Sequence, residues 1–246
     1  ANLLRGRALV KTDRIYSIEF KDVSFRVNNE QMNTYVLRNC SFVIGRHDVV
    51  AITGKSGIGK STILNLLMGF SYPEKGTILI NDEIDLSDLN LLEWRNHIAF
   101  SHQFPVIFNN ISLSENIDLL GDGKQHQIFP EILSHQGCEL SGGEQQKVSL
   151  ERAFNSSRDI ILLDEPTVSL DQKAVEILES FIRNVKTKRI RTIIFTCHKS
   201  SLLSLADKIV FITKDGETKC LQNGQSQDML PDEFIKLYGN ADNKPH

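Results

Sequence analysis

Three observations predict an α/β fold, with a mostly parallel sheet flanked by helices, an N-terminal antiparallel β subdomain and a small helical subdomain. First, short apolar runs (Ile78–Ile80, Ile98–Phe100, Ile160–Leu163, Ile193–Phe195 and Ile209–Ile212) alternate with segments of helical period, the clearest being Val175, Leu178, Ile182 and Val185. Strands that alternate with helices pair in parallel and are buried on both faces. Second, the segment from Ile15 to Ile44 places its apolar residues at alternate positions instead (Ile18 and Phe20, Val23 and Phe25, then Val36, Phe42 and Ile44). Asn28, Asn29 and Asn33 are the turn formers between them, which suggests antiparallel strands. Third, the apolar run Val49–Ile52 is followed by a glycine-rich stretch, Gly54–Thr62, and then by Ile63, Leu66 and Leu67 on one helical face. That is the order strand, loop, helix.

Gly54, Lys55, Ser56, Gly57, Ile58, Gly59, Lys60, Ser61 and Thr62 fit G-x-x-x-x-G-K-[ST], a loop whose backbone N–H groups surround phosphates. Glycine is required because side chains would hold the backbone away from the anion. Lys60 reaches the terminal phosphates, Ser61 offers a hydroxyl to Mg²⁺, and the helix that follows aims its N-terminus at the charge. The fold is therefore of the P-loop NTPase type. In such sheets ligands bind beyond the carboxyl ends of the strands, where Gly54, Asp164 and His198 all fall.

Two more segments suit the same chemistry. Ile160–Leu163 ends in Asp164 and Glu165, one carboxylate to organise Mg²⁺ and the next to polarise an attacking water as general base. Leu140–Glu144 reads Leu-Ser-Gly-Gly-Glu. There Ser141, Gly142 and Gly143 open a helix continuing over Gln145–Phe154, whose positive end and exposed N–H groups can meet a γ-phosphate.

On these motifs the chain resembles, from about Ile18 to Tyr238, the nucleotide-binding domain of an ATP-binding cassette (ABC) transporter. The motifs stand in the family's order: Gly54–Thr62 is similar to its Walker A loop, Gln103 to its Q-loop and Leu140–Glu144 to its signature. Ile160–Glu165 is similar to its Walker B, Ser169–Asp171 to its D-loop and His198 to its switch histidine. The resemblance implies ATP and Mg²⁺ as cofactors. It puts Glu165, His198 and Gln103 in the hydrolytic step and Ser61, Gln103 and Asp164 on the metal, while Gly54–Thr62, Ser141, Gly142, Gly143 and Asp171 hold nucleotide. It also implies a head-to-tail dimer with a second copy or a homologous domain, each ATP lying between one Walker A and the other signature. A transmembrane domain would be the further partner, at the cytoplasmic face of a membrane.

The stretch Asp85–Ile117, with Leu91-Leu92-Glu93-Trp94-Arg95 and Ser114-Glu115-Asn116-Ile117, is most similar to exporters whose cassette is fused behind a membrane domain. A start at Ala1 without methionine agrees with such a piece. The expected organisation is an arm or linker over 1–14, the ATPase domain over 15–238 with its helical subdomain at about 104–156, and a tail over 239–246. Several positions depart from the family pattern. Val27 stands where an aromatic usually stacks on adenine, leaving Phe25 and Tyr35 as candidates for that contact. Glu144 replaces the usual signature glutamine, Pro166 follows Glu165 where alanine is common, and Val168 replaces a D-loop serine. Only twenty-two residues separate Ile117 from Leu140, and His135 stands where an acidic coupling residue is common. A short lobe of one or two small helices follows, including part of Phe129–Leu133.

Composition excludes other classes. A net charge of −3 gives no general attraction to nucleic acid, and the cluster Arg183, Lys186, Lys188, Arg189, Arg191 reads as a solvated helix-to-strand connection. The four cysteines, Cys40, Cys138, Cys197 and Cys220, form no C-x-x-C pair and suit reduced thiols. No apolar stretch approaches the roughly 18 residues that span a bilayer, and no signal peptide is visible. The alternative reading is a soluble ABC ATPase of DNA repair or translation. Against a chromosome-type member, only eighty residues separate Lys60 from Ser141, without heptads. A P-loop kinase would leave Leu140–Glu144 unexplained.

Overall fold

The computed structural model describes residues 14–29, 32–120, 128–134 and 140–222, with Phe234 and Lys236. The expected arm up to Asp13, His135, Cys138 and the tail over 239–246 lie outside the described residues. Along the chain run β1 (Ser17–Asn29), β2 (Met32–Gly45), β3 (Val49–Thr53), α1 (Lys60–Leu67), β4 (Lys75–Ile80), β5 (Ile84–Asp85), α2 (Leu91–Asn96) and β6 (Ile98–Ser101). Then follow α3 (Leu113–Asp118), α4 (Gly142–Asn155), β7 (Ile160–Leu163), α5 (Gln172–Lys188), β8 (Thr192–Thr196), α6 (Ser200–Leu203), β9 (Lys208–Ile212) and β10 (Thr218–Gln222). Short 3-10 turns occupy Leu86–Asp88 and Pro130–Ser134. The described residues fall into two compact units, one from those up to 46, 52–97 and 208 onward, the other from 47–51 and 98–207.

In the first unit β1, β2, β4 and β5 form an antiparallel sheet in the order β2-β1-β4-β5. Its register pairs Ile18 with Ile44 and Phe20 with Phe42 on one side, and Ile18 with Ile80 and Phe20 with Ile78 on the other. All six side chains are buried, and the Phe20 and Phe42 rings stack at 4.4 Å. The antiparallel pair β9 and β10 belongs to the same unit, where the Arg38 N–H of β2 donates to the Gly216 carbonyl of its turn at 2.8 Å. A helix leaves its last carbonyls without helical partners. Here Trp94 Nε1 donates to the Leu67 carbonyl at 2.6 Å, and Arg95 donates to those of Met68 at 2.9 Å and Gly69 at 3.1 Å. The Trp94-Arg95 pair of α2 thus closes the end of α1.

In the second unit β6, β7 and β8 run parallel, with Ile98 beside Ile160 and Ile160 beside Thr192. Every residue of β7 and β8 is buried, so both faces are covered and the strands read as unbroken apolar runs. The predicted stripe of α5, Val175, Leu178, Ile182 and Val185, is buried together with Ala174, and Phe181 stacks on Phe154 of α4 at 4.0 Å. The basic cluster at the C-terminal end of α5 is bonded into the structure. Lys186 donates to the Leu205 carbonyl at 2.8 Å and pairs with Asp207 at 3.1 Å, while Arg191 donates to the Phe154 carbonyl at 3.0 Å.

Between α3 and α4 the described secondary structure is the single turn Pro130–Ser134, anchored by buried Phe129 and Ile132. Its start is held by a carboxylate: Glu151 of α4 is buried and accepts the Phe129 N–H, while Asn155 donates to its other oxygen at 3.4 Å. Burial pushes the Glu151 carboxyl up from 4.5 to about 7, against the Phe129 and Ile128 N–H groups that favour its charged form. A carboxyl whose pKa is raised on folding binds its proton more tightly in the native state, so its stabilisation is complete below pH 4.5 and is lost as pH rises through 7. The Glu151→Gln variant should therefore show a flatter dependence of unfolding free energy on pH between 4.5 and 7. The flattening should amount to at most about 3 kcal/mol. Urea unfolding at a series of pH values checks this, and parallel wild-type and variant curves would be the contrary result.

Candidate active site

The five residues of β3 are buried and deliver the chain to the phosphate loop. Gly59 is the N-cap of α1 at φ 115°, and a Cβ there would lie 2.6 Å from Val36 Cγ1, so only glycine fits between loop and β2. No side chain caps α1, whose first turn directly follows the glycine-rich loop. Lys60 is buried, its ammonium 3.2 Å from the Lys55 carbonyl and 3.5 Å from that of Gly54, so the loop curls around the charge. Lys55, Ser56 and Gly57 are exposed, Ile58 is half-buried, and Ser61 and Thr62 lie half-buried in the first turn of α1. The positive end of a helix is an electrostatic match for polyphosphate.

The second unit gathers Gln103, Asp164, Glu165 and His198. Asp164 is buried beyond the end of β7 and its N–H donates to the Ser101 carbonyl at 2.9 Å. At the end of β8 the buried Thr196 hydroxyl donates to Asp164 Oδ1 and accepts the Glu165 N–H, both at 2.7 Å. Glu165 is left-handed at φ 45°, a conformation that costs about 1–2 kcal/mol for a residue with a Cβ and is held by that bond. Its carboxylate then lies with Oε1 3.2 Å from His198 Nε2 and Oε2 3.5 Å from Gln103 Nε2. A carboxylate flanked by an imidazole and an amide is equipped to take a proton from water and to exchange partners as substrate arrives. Thr196 was not singled out from the sequence. Its signal is a hydroxyl closing the apolar run Ile193–Phe195, two residues before His198.

Ser141 is the N-cap of α4 and forms a capping box: its Oγ accepts the Glu144 N–H at 3.3 Å, while Glu144 Oε2 accepts the Ser141 N–H at 2.8 Å and hydroxyl at 2.7 Å. Glu144 thus performs the structural task open to the usual glutamine. Gly142 is exposed, and at Gly143 a Cβ would come 2.7 Å from the Ser169 carbonyl, so the signature backbone lies against the D-loop. Asp171 caps α5 by accepting the Ala174 N–H at 2.8 Å; that bond, with the Lys147 ammonium 3.5 Å away, holds its carboxyl below the ordinary value. Neither Ser141 nor Asp171 bonds to the Glu165 cluster. Of the aromatic candidates near Val27, Tyr35 is already engaged. Arg26 stands 4.2 Å and Arg38 5.4 Å from its ring centre, and its hydroxyl lies 3.4 Å from Glu74.

Residues 37–168 match the ABC transporter family model. An ABC transporter ATP-binding protein of Mycoplasma pneumoniae is 29% identical over 242 residues, which are 91% of this chain and 51% of that protein. An ABC transporter ATP-binding/permease protein of Haemophilus influenzae is 33% identical over 221 residues, covering 80% of this chain and 39% of the relative. The chain therefore spans about half or less of the length of these relatives. Among solved structures, a bacterial Atm1-family ABC exporter with ATP bound superposes with a TM-score of 0.73 at 27% identity, covering 88% of this chain and 40% of that one. A dimeric, post-hydrolysis ATP-binding cassette bound to ADP and phosphate gives 0.71 at 25% identity, covering 85% and 100%. The chain belongs to the ABC transporter family, as its ATP-binding, ATP-hydrolysing domain.

Replacing Thr196 with valine keeps the shape but removes both the donor to Asp164 and the acceptor for the Glu165 N–H. Stability should fall by about 1–3 kcal/mol, because buried polar groups lose their partners. ATP turnover should fall with it, as the Glu165 turn loosens. Thermal unfolding and steady-state ATPase measurements check the two effects together, and a Thr196→Ser variant should recover both.

Proposed function

We propose that this domain binds ATP with Mg²⁺, dimerises head-to-tail around the nucleotide, and uses hydrolysis to drive a transmembrane domain of exporter type at the cytoplasmic face of a membrane. The observation that carries this reading is the Glu165 carboxylate, fixed by Thr196 and flanked by His198 and Gln103. Gly54–Thr62 would hold the phosphates, with Lys60 on the terminal ones. The donors assigned to the ion, the Ser61 hydroxyl, one Asp164 oxygen and the Gln103 carbonyl oxygen, are the hard oxygens that Mg²⁺ takes, few in number because substrate phosphate and water complete its shell. Among the described residues no group of three or more His, Cys, Asp or Glu side chains forms a metal cage, as suits an ion carried in with its nucleotide. When bound, the ion neutralises charge developing on the phosphates. Glu165 would accept the proton of the attacking water, and His198, turning from Glu165, would donate to the γ-phosphate. Ser141, Gly142 and Gly143 of one copy, with the N-terminus of α4, and Asp171 would complete the site of the other copy.

Among the described residues no helix is long and apolar enough to cross a membrane. Membrane passage would fall to a transmembrane domain; the ATP-binding/permease name of the Haemophilus influenzae relative and its greater length support this.

Glu165→Gln removes the base and spares the phosphate loop. Its kcat should fall by at least about a hundredfold, the lower end of a general acid–base contribution. An ATP-bound dimer should accumulate, visible as a shift in size-exclusion chromatography with ATP and Mg²⁺. Retention of wild-type hydrolysis would remove Glu165 from this role. Base selectivity follows from Val27, which has no π face, and from Tyr35, whose ring is taken by two guanidinium groups. With the phosphates supplying most of the affinity, ATP and GTP should compete within about tenfold of one another. A preference well beyond that in competition binding would show that Phe25 or another aromatic stacks on adenine.

A further inference from the structure

The side chain of Lys147, six residues beyond Ser141 on α4, is only 13% exposed, and its ammonium is shared. It lies 3.0 Å from Glu131 Oε1 in the turn Pro130–Ser134 and 3.5 Å from Asp171 Oδ2 at the cap of α5. The ring of Phe129 closes one side at 5.8 Å. One point charge thus joins the signature helix, the lobe turn and the D-loop, three segments that chain connectivity leaves far apart. We propose that Lys147 is a positioning residue for hydrolysis: it holds the D-loop in register with the signature helix, and Glu131 weakens that hold by drawing on the same ammonium.

The geometry gives this contact leverage. Asp171 divides its oxygens, Oδ1 accepting the Ala174 N–H and Oδ2 meeting Lys147, so the ammonium acts on the carboxylate that starts α5. Two residues upstream, the Ser169 carbonyl lies where a Cβ on Gly143 would approach to 2.7 Å, so a shift of Asp171 changes the contact with the signature backbone. An ammonium carries its three donors on one nitrogen, and a nitrogen drawn toward one carboxylate is held farther from the other, which weakens that second attraction. The shorter distance to Glu131 says that in this structure the lobe turn has the larger share. Movement of that turn would therefore reset the D-loop without touching nucleotide. Burial of the stem makes the link depend on length and charge together, so arginine can replace lysine and methionine cannot.

The proposal rests on the hydrolytic dimer described above, and two measurements separate the failure of one from that of the other. In steady-state ATPase assays Lys147→Met should lower kcat about fivefold with the KM for ATP changed less than about twofold, the scale of coupling through a residue outside the ligand contacts. Lys147→Arg should stay within about twofold of wild type. Glu131→Gln, which releases the ammonium to Asp171, should match or exceed wild-type kcat. Lys147→Met combined with Asp171→Asn should be no slower than the slower single variant, because both remove one interaction. In hydrogen exchange, which needs no turnover, the Ala174 and Val175 amides should lose protection in Lys147→Met and keep it in Glu131→Gln. Unchanged kcat and protection in Lys147→Met, or equal losses in Lys147→Met and Glu131→Gln, would overturn the proposal. A wild-type chain that hydrolyses no ATP would instead defeat the dimeric ATPase reading, and exchange alone would then decide whether Lys147 holds the D-loop.

Discussion

Much of the site depends on one buried hydroxyl. Thr196 ends β8, and its two bonds of 2.7 Å tie the adjacent end of β7 at both Asp164 and Glu165. Parallel register does the rest. Ser101 pairs with Leu163 and Leu163 with Phe195, so Gln103 stands level with Glu165, while His198 lies one residue beyond the level of both. Three strands leaving the sheet at the same end therefore bring an amide, a carboxylate and an imidazole together with no long loop to position them. The left-handed turn at Glu165 is the remaining adjustment, and it rotates the carboxylate toward its neighbours instead of along the strand.

What could be read from the sequence was whatever a short window of residues determines. The buried strands show as unbroken runs because the helices and neighbours that cover them leave no wet face. The phosphate loop shows because its glycines are imposed by backbone approach, as at Gly59 against Val36. The stripe of α5 shows through its period. The N-terminal strands were less legible: β1 is one strand of thirteen residues, but register shifts between Phe20 and Val23 and between Val23 and Phe25 break the alternation into pieces that look like separate short strands. Asp22, at φ 51°, lies inside the first of these irregularities. Thr196, Lys147 and Glu151 were not legible because their meaning lies in partners distant along the chain, such as Asp164, thirty-two residues before Thr196.

The departures from the family pattern look different once their contacts are known. Glu144 closes the box on Ser141, and a carboxylate there also suits the positive end of α4. That stabilises the helix in the absence of nucleotide, yet sets a negative charge in the field that would otherwise face an incoming phosphate. If this helix end meets a phosphate as proposed, the chain trades some electrostatic attraction for a preformed helix end. A similar exchange is visible at Tyr35, where Arg26 and Arg38 occupy a ring that could have met a base.

Helix α4 is where these features meet. Its fourteen residues make a rod about 21 Å long. The first turn presents the signature, the second carries Lys147 between Asp171 and Glu131, and the third and fourth carry Glu151, Arg152 and Asn155. Arg152 donates to the Asn116 carbonyl at 2.7 Å and to that of Val106 at 3.1 Å, while Asn116 bonds both backbone groups of Phe108 at 2.9 Å. The segment that follows Gln103 is therefore fastened to the far end of the same helix whose near end carries Ser141. Among the described residues the regular structure between α3 and α4 is the turn Pro130–Ser134, which Lys147 and Glu151 join to this helix. A helix bonded at each turn would carry a displacement of the segment after Gln103 toward Ser141 and, through Lys147, toward the D-loop.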